Sequence, residues 1–227
     1  MLYEKIYFIL FIVSLFLTVS VPAKSQSANV KSKTATTFDT IHLQMTDTLG
    51  GVPLLTAAQH RRSYREFDSK NLSAKHLSEL LWMANGINRA GGKRTVPSAM
   101  ALYPIQAYVF LADGVYFYNP QKHLLEPVMK GDFRVLCGTQ EFVKTAPLNL
   151  IYIANYNVFK GRHETPAEEK LWLASLDAGH CSQNVYLYCA SEGLKCVVRA
   201  SADKAALLRL LQLNENYQFI VAQTIGY

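Results

Sequence analysis

Arg61-Arg62-Ser63-Tyr64-Arg65-Glu66-Phe67 places three guanidinium groups and a hydroxyl within five residues. The stretch follows a short run of helical apolar periodicity, Val52 to Ala58, which extends as a predicted helix to His60. An arginine fork donates two parallel hydrogen bonds to a phosphate. The cluster therefore suits a ligand with a phosphate at one end and a polar ring at the other. On spacing alone, a solvated basic patch accounts for it at least as well.

Downstream, Ser73 to Gly86 reads as a helix capped by Ser73, with Leu77, Leu80, Leu81 and Ala84 at helical spacing and Asn85-Gly86 as its stop. A loop with Asn88, Arg89, Gly91, Gly92, Lys93 and Arg94 follows. Gln106 to Leu111 and Val115 to Tyr118 flank Asp113-Gly114, a two-residue hairpin signal. Asn119-Pro120 with Leu124, Leu125 and Val128 brings the chain back once more. Phe133 to Phe142 reads as helical, and Leu148 to Ala154 as a buried strand. Pro166 opens the longest helix, which runs to about Ser191 and is apolar over much of its circumference, as expected of a central or interface helix. Cys196 to Val198 is a predicted strand, Ala202 to Leu211 a helix and Phe219 to Thr224 a final strand. Strand pairs and helices alternate without regular βαβ units, so the expected class is α+β, a mixed sheet flanked by helices.

At the N-terminus, Lys5 precedes an apolar run from Ile6 to Val21, and Ala23-Lys24-Ser25 offers small residues at the −3 and −1 positions of a cleavage site. Residues 1–25 thus read as a secretory signal peptide, with Gln26 as the mature start. The apolar run is short for a membrane span, which needs about 20 residues. The expectation is export to the periplasm or beyond, with no stable membrane insertion after cleavage; an uncleaved N-terminal anchor is the alternative. Residues 26–48 are polar and read as a flexible leader, leaving 49–227 as one domain. Half of the residues are apolar, enough for a sizeable core.

The formal charge of +6 falls to +5 once Glu4, Lys5 and Lys24 are removed. No nucleic-acid motif accompanies it. Much of the charge sits at Arg61, Arg62, Arg65, Lys93 and Arg94, which points to an anionic small ligand. Cys181 and Cys189 fall on one predicted helix about 12 Å apart, beyond the roughly 7 Å reach of a disulfide, so buried free thiols are expected.

Two further segments carry a resemblance: Pro97-Ser98-Ala99-Met100-Ala101-Leu102-Tyr103-Pro104 and Gly193-Leu194-Lys195-Cys196-Val197-Val198-Arg199. With the arginine stretch, and in that order, they resemble the nitroreductase family of FMN-dependent oxidoreductases, most closely its SagB-type, thiazole/oxazole-oxidase-like branch. The resemblance covers roughly Leu49 to Tyr227. It implies a homodimer with two FMN sites at the subunit interface, acting on a small-molecule substrate with NAD(P)H or another electron donor. It also implies roles: Arg61 at the phosphate or ribityl end, Ser63 on the flavin, Arg65 near the N1/O2 edge, and Arg62 facing the phosphate or solvent. Pro97, Ser98 and Ala99 would reach the flavin of the neighbouring subunit. Val197, Val198 and Arg199 would line one ring face, largely through backbone, and Gln140 would supply a polar contact. Gln183-Asn184 matches a recurrent pair and is expected in helix packing at the dimer interface.

The chain departs from the family pattern at two places. Ala101 stands where many members have Asn. The Ile225-Gly226-Tyr227 ending lacks the basic phosphate contact of several members, so that contact is expected from Arg61, Arg62, Lys93 or Arg94. Other chemistries fit worse. Gly92-Lys93 lacks the first glycine and the Ser/Thr of a phosphate loop, and His163-Glu164-Thr165-Pro166 is not a zinc-protease motif. Six scattered histidines show no metal spacing. His180 and Cys181 diverge as helix neighbours, and Asp177 with His180 fits a structural pair. The function classes that stand are a hydride-transferring FMN oxidoreductase with a ping-pong cycle, a non-catalytic flavin-binding or storage protein, and a basic binding module without flavin.

Overall fold

The computed structural model describes residues 38–160 and 165–227. The predicted signal peptide, most of the predicted leader and His163-Glu164 lie outside the described residues. The elements run β1 Ile41–His42, α1 Leu54–His60, α2 Ala74–Asn85, β2 Ile87–Arg89, β3 Lys93–Arg94, β4 Ile105–Phe110, β5 Gly114–Asn119 and β6 Leu124–Lys130. They continue with α3 Glu141–Thr145, β7 Leu148–Asn155, α4 Ala167–Ser191, β8 Lys195–Arg199, α5 Lys204–Leu210 and β9 Tyr217–Gly226. A seven-stranded sheet has the order β1-β6-β5-β4-β7-β9-β8, and β2 pairs with β3 separately. The α+β class holds, but every pairing is antiparallel, where a mixed sheet was expected.

Strand β7 explains the layering. Leu148, Leu150, Tyr152 and Ala154 pack on the face covered by α2 and α4. Ile151 and Ile153 pack on the opposite face with Val143 of α3 and Leu207 of α5. Burial on both faces turns alternation into a continuous apolar run. Helix α4 fits the predicted central helix, burying Ala174, Ala178, Cys181, Val185 and Cys189 against the sheet. Ser73 caps α2 by accepting from the His76 amide at 3.1 Å. All four cysteines are free and buried. Among the described residues, no helix is long and apolar enough to cross a membrane.

Three local expectations are corrected. The end of the predicted leader is folded: β1 pairs with β6, and the Phe38 ring lies 5.1 Å from that of Tyr116. Two aromatic or aliphatic side chains with a surface to cover, Phe38 and Ile41, outweigh the polar composition around them. The β4–β5 turn sits one residue earlier than predicted, since Leu111 N donates to Gly114 O and Ala112-Asp113 form the tip. Gly114 serves close approach instead, because a Cβ there would collide with the Phe38 ring. Finally, Phe133 to Phe142 is not one helix. A 3₁₀ turn at Arg134–Cys137 and α3 are separated at Gly138, where a side chain would strike the Arg199 guanidinium.

Candidate functional site

Strand β8 ends the sheet, with β9 on one side and a free edge on the other. The arginine stretch covers that edge. Arg61 closes α1 by donating its amide to Ala57 O at 2.9 Å and then turns extended, with ψ 124°. Tyr64 N donates to Cys196 O at 3.0 Å, and Asp68 N to Tyr227 O at 2.9 Å. An exposed strand edge invites such a cover. Side chains alternate along an extended segment, and here the alternation divides the cluster.

Arg61 and Ser63 turn toward Tyr186 of α4. The Arg61 guanidinium lies 5.2 Å from the centre of the Tyr186 ring. Ser63 Oγ lies 2.8 Å from Tyr186 Oη, and the same oxygen accepts from Val198 N at 2.9 Å. One phenol thus joins the arginine stretch, the central helix and the free edge of β8.

Arg62 and Tyr64 take the other side. With His60, Tyr186, Gly193 and Lys195 they line a cleft of about 360 Å³. No carboxylate lines it, and among the described residues none of Arg61, Arg62, Arg65 or Lys195 is held in an ion pair. Uncompensated cations in a concave site favour an anion. A larger cavity of about 420 Å³ lies among α1, α2 and α4. Its lining includes Asp47, Glu79 and Glu192 but no lysine or arginine, so it repels a phosphate. Among the described residues, no group of His, Cys, Asp and Glu side chains could hold a metal ion.

The other nominated residues are placed elsewhere. Ser98 Oγ accepts from Tyr103 N at 2.9 Å and also hydrogen-bonds the Asp177 carboxyl, whose pKa burial raises against that bond. Met100, Ala101 and Tyr103 all adopt positive φ, of 52°, 54° and 48°, so the loop after Pro97-Ser98-Ala99 is strained. Arg94 stacks over the Tyr103 ring at 4.9 Å, and burial lowers its pKa. Its Nε is buried without a partner in the described structure. Asp177 and Tyr186 are nine residues apart on α4, or about 13 Å. Within one chain, therefore, the Pro97–Ala99 loop and the arginine stretch attend different parts of that helix.

Gln140 pairs with Ser201 at 3.1 Å. Val197 is buried, and Arg199 points its side chain into the fold, donating to Thr224 Oγ1, Asn149 Oδ1, Cys137 O and Ser201 O. Every nitrogen of the Arg199 guanidinium is thus engaged inside the fold. Asn184 ties α4 to the end of α2 within the chain, donating to Met83 O at 3.1 Å. The structure therefore gathers Arg61, Arg62, Ser63 and Val198. It adds three residues that sequence reasoning missed: His60, Tyr186 and Lys195. Tyr186 was masked by its place in an apolar helical pattern, and Lys195 by the strand alternation around it.

The model of the nitroreductase family matches residues 58–227. A protein of Methanocaldococcus jannaschii bearing a nitroreductase name is 31% identical over 187 residues, covering 78% of this chain and 92% of its own. A Ralstonia eutropha crystal structure bearing the same name is 41% identical, with a TM-score of 0.77 over 83% of this chain and 89% of that one. A structure from Desulfovibrio desulfuricans, in complex with FMN, shares the fold at 21% identity and a TM-score of 0.54, over 77% of this chain and 86% of that one. This chain belongs to the nitroreductase family.

Proposed function

We propose that this chain is an FMN-dependent oxidoreductase of the SagB-type, working as a homodimer. The observation that carries the reading is the set of uncompensated cations beside the outer edge of β8, with the exposed Ser63 hydroxyl among them. These groups fit FMN: cations for its phosphate and a hydroxyl for the polar edge of its ring. When bound, FMN would supply hydride-transfer chemistry at its N5.

The protein's own part is positioning and electrostatics. Arg62 and Lys195 would hold the phosphate, and Arg61 the ribityl end. Ser63 would orient the ring. Arg65, on the segment side that carries Ser63, would place positive charge by the N1/O2 edge of the ring. No side chain is needed as nucleophile or general base.

A dimer accounts for two features that one chain leaves open. Helix α4 exposes Trp172 by 61% and Leu176 by 43%, apolar surface four residues apart on one helix face. The Pro97–Ala99 loop, distant from its own arginine stretch along α4, would complete the partner's site. The apolar run from Ile6 to Val21 supports export of the chain, to a compartment where a donor other than NAD(P)H would serve.

The test is the visible absorbance of the purified protein, followed by anaerobic mixing with NADH or NADPH and by sizing in solution. A yellow dimer whose flavin bleaches with a donor supports the reading. Bound flavin that no donor reduces favours a carrier, and a colourless monomer that takes up no added FMN overturns the reading.

A further inference from the structure

Tyr186 does more than tie three segments together: it sets which way the hydrogen bonds run at Ser63. An amide can only donate, so Tyr186 Oη accepts from Val198 N. The phenol then has one proton to place. The only other polar atom recorded at hydrogen-bond distance from it among the described residues is Ser63 Oγ, at 2.8 Å. A phenol is a stronger acid than an aliphatic alcohol and so the better donor of the pair. Ser63 is exposed, whereas Tyr186 is half-buried, so the serine proton has solvent more readily in reach. The chain of donation runs from Val198 N–H to Tyr186 Oη–H to Ser63 Oγ–H, and its last proton points out of the fold.

We propose that Tyr186 is a positioning residue that polarises Ser63 as a donor, so that the site selects a ligand presenting an acceptor there, a carbonyl oxygen or unprotonated ring nitrogen. Chains of hydrogen bonds strengthen one another, and the Val198 amide at the head of this one is fixed in the sheet. The Arg61 guanidinium, 5.2 Å from the ring centre, helps to hold the tyrosine in place. A ligand offering only an N–H to Ser63 must use the hydroxyl's remaining lone pair and leaves its proton without an acceptor. The inference rests on the flavin reading for the identity of the ligand, with the isoalloxazine carbonyls or ring nitrogens as the acceptor.

The experiment is a fluorescence titration of FMN into apoprotein for wild type, Tyr186→Phe, Ser63→Ala, Ser63→Thr and the Tyr186→Phe/Ser63→Ala double variant, with thermal unfolding of each. Tyr186→Phe and Ser63→Ala should each weaken binding by about 3- to 10-fold, the size of one hydrogen bond. The double variant should bind no worse than the weaker single variant, because both act on one chain. Ser63→Thr should bind like wild type, which keeps the role testable even if Tyr186→Phe unfolds. Unchanged binding by Tyr186→Phe, losses that multiply in the double variant, or Ser63→Ala equal to Ser63→Thr would each overturn the role while leaving the flavin reading intact. A wild-type protein that binds no FMN would instead remove the flavin reading, and this role with it.

Discussion

Arg199 Nη2 lies 2.7 Å from Thr224 Oγ1, and every partner of this buried guanidinium is a neutral oxygen. Burial pushes its pKa down to about 10, still charged at neutral pH. The residue is a cross-brace between β8, β9, β7 and the turn at Cys137. Arg199→Met keeps much of the volume but strips donors from several buried acceptors. It should cost about 2–3 kcal/mol, read as a lower urea midpoint at unchanged slope.

Gly114 is glycine because Phe38 occupies the space of its missing side chain. Gly114→Ala should therefore destabilise by about 1–3 kcal/mol through overpacking. Combined with Phe38→Ala, the two losses should fall short of their sum, since the clash disappears with the ring. Additive losses in thermal unfolding would mean that the segment before β1 is not packed there.

His123 is held neutral at the β5–β6 turn. Its Nδ1 lies 3.0 Å from Tyr118 Oη, while Nε2 faces Ser78 Oγ at 2.8 Å and Gln44 O at 3.0 Å. Burial lowers its pKa below the ordinary 6.5, partly opposed by the Gln44 carbonyl. With the folded pKa depressed, the unfolded chain takes up the proton more readily as pH falls below that ordinary value. Stability is thus unaffected by this group above it and lost on acidification. His123→Asn suits the left-handed φ of 48°. It should show a smaller fall in melting temperature than wild type between about pH 7 and 5.

Lys195 lies in the basic cleft with Arg62. If it holds the phosphate, Lys195→Ala should weaken FMN about tenfold and leave riboflavin, which has no phosphate, unchanged. Parallel titrations with the two flavins separate a phosphate contact from a general loss of shape.

Arg65→Ala should lower the potential of the bound flavin by up to about 90 mV, the ceiling for one cation near 4 Å in a partly screened site. The fold should be unaffected, because Arg65 is exposed and makes no ion pair among the described residues. An unchanged midpoint in a dye-coupled reduction would remove Arg65 from the ring.

Local patterns were legible wherever one periodicity dominated. The Ser73 cap, the helical spacing of α2, the long α4 and the uninterrupted apolar run of β7 all lie where they were read. Failures came where a distant residue overrode a local signal. Asp113-Gly114 looked like a turn, yet the glycine answers to Phe38, and Gly138 breaks a helical pattern for the sake of Arg199. In the site, Arg61, Arg62 and Ser63 were nominated together, but their division between the Tyr186 face and the cleft was not readable.

By itself, the order of residues determined that an arginine-rich stretch follows a short helix, that a central helix separates it from a late strand, and that the cysteines of that helix are too far apart to join. Those are short-range matters of period and composition. Only the tertiary structure decided that Ser63, Tyr186 and Val198 share one hydrogen-bonded oxygen, and that Lys195 enters the same cleft as Arg62. Alternation along a strand gives two faces but not which one meets a partner. That choice is made by hydrogen bonds between segments more than a hundred residues apart, Ser63 with Tyr186 and Tyr64 with Cys196.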